Sequence, residues 1–253
     1  SMYAYVHNPV INIVTILLIV FGGIGYIVWW DIMGVLKNIR RQGLKCFANL
    51  TFHSKIALSV TGILILAGTA AVFIFEYNNP LTMYSFSVPE KLQASLFQSV
   101  TTRTAGFATV PQENLTNASA LTSLLLMFIG GSPVGTAGGI KTVTFAVLIT
   151  SAFATMKTRS EAELFHRTIP KQAVSKAVAV VSMAFIILFT ATLLLAAVTD
   201  ADALDIVYET VSAAATVGLT RSLTSELNIW GRIIIIITMY LGRVGPISLM
   251  IAL

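Results

Sequence analysis

Two short stretches of the chain carry a chemistry that belongs to the backbone rather than to side chains. The first reads Thr101-Thr102-Arg103-Thr104-Ala105-Gly106-Phe107 and the second Ala214-Ala215-Thr216-Val217-Gly218-Leu219-Thr220. Both hold Thr-x-Gly followed by a large apolar residue. Glycine permits backbone angles that turn a carbonyl inward without a side-chain clash. Rings of such carbonyls replace the hydration shell of a potassium ion. One Thr-x-Gly says little, because any loop can contain one. Two copies at equivalent positions point to paired cation-coordinating loops. The candidate ligands are the carbonyls of Thr104, Ala105, Gly106, Phe107, Thr216, Val217, Gly218 and Leu219, with K+ as the metal at the filter. No catalytic residue is expected.

A third stretch runs Gly130-Gly131-Ser132-Pro133-Val134-Gly135-Thr136-Ala137-Gly138-Gly139 inside an apolar segment. Five glycines and a proline cannot continue a regular helix. The break lies mid-membrane to inner leaflet, below the paired loops, where a flexible segment can gate. The alternative is a kink that serves helix packing. The gate candidates are Gly130, Gly131, Ser132, Pro133, Gly135, Gly138, Gly139 and Arg243. Gly135 to Thr142 resembles a phosphate-binding loop, but Ile140 separates Gly139 from Lys141 and no strand precedes it, so nucleotide binding is rejected here. Arg243 sits in a run otherwise nearly free of charge, roughly 20 Å in from Trp230 at 1.5 Å per residue. An ionisable residue at that depth usually faces a cavity. A cation under a cation filter acts as an electrostatic barrier; the alternative is snorkelling to the inner interface.

The elements that must position these loops are membrane helices. A span needs about 20 predominantly apolar residues. Such runs cover 10–30, 56–77, 118–155 (interrupted), 173–198 and 229–253. Asn8 and Pro9 start the first as N-cap and first helical residue, and Trp29-Trp30 sit where an interfacial aromatic belt is expected. Between the second and third runs lies a short amphipathic segment, 89–102, and between the fourth and fifth another, 203–215. Ser87, Pro89 and Glu90 form a capping box with a proline in the first turn, and Asp202 with Asp205 marks the second start. A short helix entering from outside aims its negative end at the membrane centre, which favours a cation there. The pattern span, short helix, loop, span thus occurs twice.

Charge placement sets the orientation. Segment 37–55 carries Lys37, Arg40, Arg41, Lys45 and Lys55 without an acid, and segment 156–176 carries Lys157, Arg159, Arg167, Lys171 and Lys176 against Glu161 and Glu163. The remaining linkers are acidic, with Glu76, Glu113, Asp200, Asp202, Asp205 and Glu209. The positive-inside rule makes the basic linkers cytoplasmic. The net charge of +5 is therefore topological, and nucleic-acid binding is not expected. The chain is 56% hydrophobic and only 11% charged, against about 25% charged in soluble domains. With Cys46 alone there is no internal disulfide, and His7, His53 and His166 have no metal-ligand spacing. No Ser–His pair supports an intramembrane enzyme. Ser1-Met2 reads as an appended start and both ends read as cut, so a piece of a longer protein is expected.

At 100–107, at 128–142 and at Leu241-Gly242-Arg243-Val244-Gly245-Pro246, the chain resembles the Trk/Ktr/HKT superfamily, most of all the KtrB-type membrane subunits of bacterial potassium uptake systems. The resemblance covers essentially the whole chain. It implies an all-α polytopic membrane protein built from repeated M1–P-loop–M2 potassium-channel-like units in a bacterial plasma membrane. It divides the chain into an orphan M2-type helix with cytoplasmic linker (1–55), a complete unit with gate-like broken helix (56–172) and a second complete unit (173–253). Gly106 and Gly218 correspond to the third and fourth filter glycines, 130–139 to the gate loop, and Arg243 to the constriction arginine. It further implies K+ as the transported ion, Na+ as a candidate activator, no organic cofactor, a missing N-terminal half of the pore, a homodimer, and a cytosolic nucleotide-binding KtrA-like regulatory ring. A non-conducting fragment or scaffold is the alternative.

Overall fold

The computed structural model describes residues 2–37, 48–133, 135, 137–158, 161–165 and 167–245. Arg40, Arg41, Lys45, Cys46, Arg159, His166, Val134, Thr136 and Pro246, used in the sequence reading, lie outside the described residues. Among the described residues the chain is all-α apart from one small hairpin. Its helices are α1 (Pro9–Gly23), α2 (Tyr26–Leu36), α3 (Phe52–Glu76), α4 (Val88–Thr101), α5 (Asn117–Phe128), α6 (Thr142–Met156), α7 (Lys171–Val198), α8 (Ala203–Ala214), α9 (Leu223–Glu226) and α10 (Ile229–Val244). The hairpin pairs β1 (Glu163–Leu164) antiparallel with β2 (Arg167–Thr168) between α6 and α7.

Among the described residues two helices are long and apolar enough to cross a membrane, α3 with 25 residues and α7 with 28. At 1.5 Å per residue they reach about 38 and 42 Å, beyond the ~30 Å hydrocarbon core, so both have length to spare for tilt. Only 17% of the most apolar window of α7 is buried within the protein, which leaves that helix facing lipid. α10 buries Gly231, Ile235 and Thr238, spaced as one helical stripe, and exposes Ile233, Ile236, Ile237 and Tyr240. α3 packs on α4, α5 and α6, while α10 packs on α7 and α8. One core lies between the two sets, where Ala108, Ala120, Met127, Tyr208, Val211, Ala215, Val217 and Leu219 meet.

The apolar run 10–30 is not one straight helix. It breaks after Gly23, and α1 and α2 are bent by 97°. Hydropathy predicts a span but not its direction; here Gly25 takes φ 85°, a conformation that L side chains rarely adopt. Trp29 does not simply mark an interface. Its Nε1 donates to the Phe21 carbonyl across the bend at 2.9 Å, while Trp30 stays exposed. In the run 229–253, α10 ends at Val244 before Gly245 at φ 81°, and residues 246–253 lie outside the described residues.

The start signals act unequally. Asn8 caps α1 through Val10 and Ile11 N–H, with Pro9 in the first turn. At α4 the Glu90 carboxylate accepts from Ser87 Oγ and N at 2.7 and 2.8 Å. Those bonds, with His7 beside it, hold the Glu90 carboxyl down at about 2. Asp202 precedes α8 but makes no side-chain capping bond, and Asp205 turns to Arg221 instead, at 2.6 Å. Two acids counted as linker charge are buried. Glu76 is wholly inaccessible and Glu209 is nearly so. Met2, set aside as an appended residue, donates its N–H to the Ala108 carbonyl at 2.7 Å.

Candidate ion-coordinating loops and the broken helix

Each Thr-x-Gly loop begins where a short buried helix ends. α4 stops at Thr101 and α8 at Ala214, so both negative helix ends abut their loops. The backbone then alternates in hand. Thr104 and Gly106 have φ 66° and 74°, and Thr216 and Gly218 have φ 55° and 91°, while Ala105 and Val217 between them keep negative φ. In an ordinary extended strand successive carbonyls alternate sides. Left-handed angles at every second residue bring them toward one side, which is what cation coordination requires.

The loops' N–H groups turn back to the helices behind them. Ala105 and Gly106 N–H donate to the Thr101 carbonyl at 3.2 and 3.3 Å. In the second loop Val217 N–H reaches the Ser212 carbonyl at 2.9 Å and Gly218 N–H reaches Ser212 Oγ at 3.1 Å. None of these bonds uses the carbonyl oxygens of Thr104, Ala105, Gly106, Thr216, Val217 or Gly218. The final residues differ. Phe107 is exposed, and its carbonyl accepts from Thr101 Oγ1 at 2.6 Å, whereas Leu219 is 2% exposed in the shared core. The loops lie side by side: a Cβ on Gly106 would meet the Val217 carbonyl oxygen at 2.2 Å, while one on Gly218 would meet nothing within 4 Å.

The break between α5 and α6 forms a pinched loop. A parallel bridge joins Ile129 to Ile140, and Ile140 N–H reaches the Phe128 carbonyl at 3.1 Å. Ser132 N–H donates to the Gly23 carbonyl at 3.0 Å, which ties Gly131 and Ser132 to the α1–α2 bend. Gly130 and Gly138 touch across the neck, since a Cβ on Gly130 would fall 1.9 Å from the Gly138 carbonyl oxygen. Gly139 takes φ 66°. Pro133 and Gly135 are half-buried at the loop's tip. The loop contacts both Thr-x-Gly stretches. Arg103, 6% exposed, donates to the Gly130 carbonyl at 3.3 Å and to Thr61 Oγ1 at 3.2 Å. A Cβ on Gly138 would meet Thr216 Oγ1 at 2.1 Å and the Ala215 carbonyl at 2.6 Å.

Arg243 occupies the last turn of α10, where the helix dipole favours a cation. It is exposed and within electrostatic range of Lys141, whose Nζ bonds the Ala137 carbonyl of the broken-helix loop. Two cations thus stand near that loop. Among the described residues no three His, Cys, Asp or Glu side chains gather to hold a metal ion.

Several residues of the site escaped the sequence reading. Glu209 accepts from Thr220 Oγ1 at 2.7 Å and from Thr224 Oγ1, which clamps the outer limb of the second loop. Its position within the predicted short helix 203–215 was the available signal, because an acid in a membrane-embedded helix is costly without partners. Gln98, Gln112 and Tyr208 form a buried polar cluster between the two sets of helices. No local pattern marks them.

A model of the TrkH family, described as cation transport protein, matches residues 1–253. Ktr system potassium uptake protein B of Bacillus subtilis (strain 168) is 40% identical over 248 residues, covering 98% of this chain and 54% of the relative. The protein of the same description from Vibrio alginolyticus is 36% identical over 249 residues, covering 98% and 53%. Potassium/sodium uptake protein NtpJ of Enterococcus hirae is 34% identical over 257 residues, covering 100% and 55%. The crystal structure of the potassium transporter TrkH from Vibrio parahaemolyticus matches the fold with a TM-score of 0.76 at 17% identity, over 97% of this chain and 52% of that one. The chain spans about half the length of the curated relatives it matches.

Proposed function

Because this chain belongs to the TrkH family of cation transport proteins, we propose that it supplies half of the pore of a plasma-membrane potassium uptake transporter. It is a multi-pass membrane protein of a transport family, not an enzyme. In this reading 56–172 and 173–253 are M1–P-loop–M2 units, and 1–55 ends an earlier unit. K+ is bound by the carbonyls of Thr104 to Phe107 and Thr216 to Leu219. The carrying observation is the alternation of left-handed and ordinary backbone angles in both loops, at equivalent places behind equivalent helices. Thr104 and Thr216 are the telling residues, since a left-handed β-branched residue is strained and persists only where the surroundings hold it.

The 130–139 loop is the gate, closing the path under the filter through Gly130, Gly131, Ser132, Pro133, Gly135, Gly138 and Gly139. Arg243, with Lys141 nearby, raises the barrier to a passing cation. The remaining half of the filter comes from an N-terminal half of the protein. The assembly is a homodimer under a cytosolic nucleotide-binding KtrA-like ring, and Na+ is its candidate activator.

The test is ion preference in the full-length protein. Gly106→Ser and Gly218→Ser each lower potassium preference over sodium in rubidium uptake, Gly106→Ser more, because its new Cβ also strikes the Val217 carbonyl. Unchanged affinity and preference in both variants would sink the filter reading. The half-length coverage motivates a second reading for this chain alone, a non-conducting scaffold. Rubidium flux through the chain with and without a supplied N-terminal half separates the two.

A further inference from the structure

Gln112 is a residue that both helix sets hold within the polar cluster between them. It lies six positions beyond Gly106 and is 1% exposed. Its side chain exchanges two hydrogen bonds with Gln98 of α4. Gln98 Nε2 donates to Gln112 Oε1 at 2.8 Å, and Gln112 Nε2 donates to Gln98 Oε1 at 3.1 Å. The second N–H of each amide is also taken, by Ser123 Oγ at 3.3 Å and by the Val110 carbonyl at 2.8 Å. All four amide hydrogens are therefore satisfied.

From the other side, Tyr208 of α8 donates its hydroxyl to Gln112 Oε1 at 3.0 Å, and its ring is fully buried. The backbone of Gln112 is held as well. Its carbonyl accepts from Arg221 Nη1 at 3.0 Å, and the Arg221 Nε is fixed by Asp205 of α8 at 2.6 Å. Arg221 lies three positions beyond Gly218. One residue after the first loop is thus bonded to the helix before the second loop and to the segment after it.

We propose that Gln112 and Tyr208 are positioning residues that set the spacing between the two Thr-x-Gly loops and thereby the ion preference of the pore. This rests on the filter reading above. The loops touch without slack at Gly106 and Val217, so a change in the angle between α4 and α8 is transmitted to their carbonyls. A fully satisfied buried polar network is directional and rigid, whereas an apolar contact permits sliding. Ion preference depends on the number and geometry of the coordinating carbonyls.

The experiment uses the full-length protein in lipid vesicles and measures rubidium uptake in competition with sodium and with potassium. Tyr208→Phe removes one hydroxyl and leaves Gln98 still bonded to Gln112, so the fold survives. It makes sodium a better competitor by about three- to ten-fold, the equilibrium equivalent of one ordinary hydrogen bond. Its membrane level stays at the parental value, and its melting temperature falls by no more than the loss of one hydrogen bond requires. Gln112→Leu produces a larger shift, and Tyr208→Phe adds less on top of it than it does alone, because the two share one bond. If Gln112→Leu does not reach the membrane, Tyr208→Phe decides alone. A lowered melting temperature with an unchanged sodium-to-potassium ratio would overturn the proposal in favour of a purely structural role. Gly218→Ser run in parallel separates the failures. If it shifts the ratio and Tyr208→Phe does not, only this inference falls; if neither shifts it, the filter reading falls too.

Discussion

Replacing Gly138 by alanine adds one methyl group where the broken-helix loop presses against the base of the second Thr-x-Gly loop. The new Cβ would stand 2.1 Å from Thr216 Oγ1, 2.6 Å from the Ala215 carbonyl oxygen and 3.1 Å from its carbon. Ordinary contact is about 3.5 to 4.0 Å, so something must move on the order of 1 Å. The Thr216 hydroxyl can rotate aside, but the Ala215 carbonyl belongs to the end of α8 and is fixed by the shared core. Gly138 is the softer partner, because it lies outside helical structure. Overpacking of this kind costs about 1 to 3 kcal/mol. If the observed position of the loop is the closed one, that cost falls on the closed state alone. The open population then rises by about 5- to 150-fold before saturation. Gly138 does not have positive φ, so the alanine adds steric pressure without backbone strain. The assay is rubidium uptake into vesicles by the full-length protein, with Gly22→Ala as the control, since a Cβ at Gly22 meets nothing within 4 Å. Flux equal to or below that of the control, at equal protein in the membrane, refutes the gate reasoning. A change in ion preference without a change in flux would instead make the loop a support for the filter.

Two further outcomes follow from the same geometry. Arg243→Gln raises rubidium flux at saturating substrate by about ten-fold, the effect of removing ~1–2 kcal/mol of cation repulsion at an effective dielectric near 20; lower protein level with unaltered flux would favour snorkelling. Glu76→Gln lowers the detergent-solubilised melting temperature, because the carboxylate accepts from Asn79, Thr82 and both N–H and hydroxyl of Thr116, at 2.6 to 2.9 Å. An amide there faces donors with a donor, at about 1 to 3 kcal/mol for each group left unmet, and a melting temperature within error of the parent would contradict that account.

Features whose physics is local were legible along the chain. Apolar length specifies α3 and α7, since about 20 such residues suffice to cross lipid whatever surrounds them. A short amphipathic stretch places α4 and α8 within one or two positions, and at α4 a capping box marks the start. The run from Gly130 to Gly139 announces a broken helix because propensity alone forbids a continuous one. The Thr-x-Gly stretches were visible as a repeat, although the left-handed angles at Thr104 and Thr216 were not, since β-branched residues seldom adopt them unaided. What remained hidden depends on partners far away in the chain. Hydropathy carries no direction, so the 97° bend at Gly23 to Gly25 looked like part of one span; the Ser132 N–H bonded to Gly23 shows what leans on it. Glu76 and Glu209 read as linker charge because burial is a property of what packs over a residue. Tyr208 and Gln112 are 96 positions apart, and nothing near either one foretells the other. Only the packing of α4 against α3 and of α8 against α5 and α10 brings both loops, the broken helix and that polar cluster to one place, because hydrogen bonds and close backbone contacts act over a few ångströms whatever the distance along the chain.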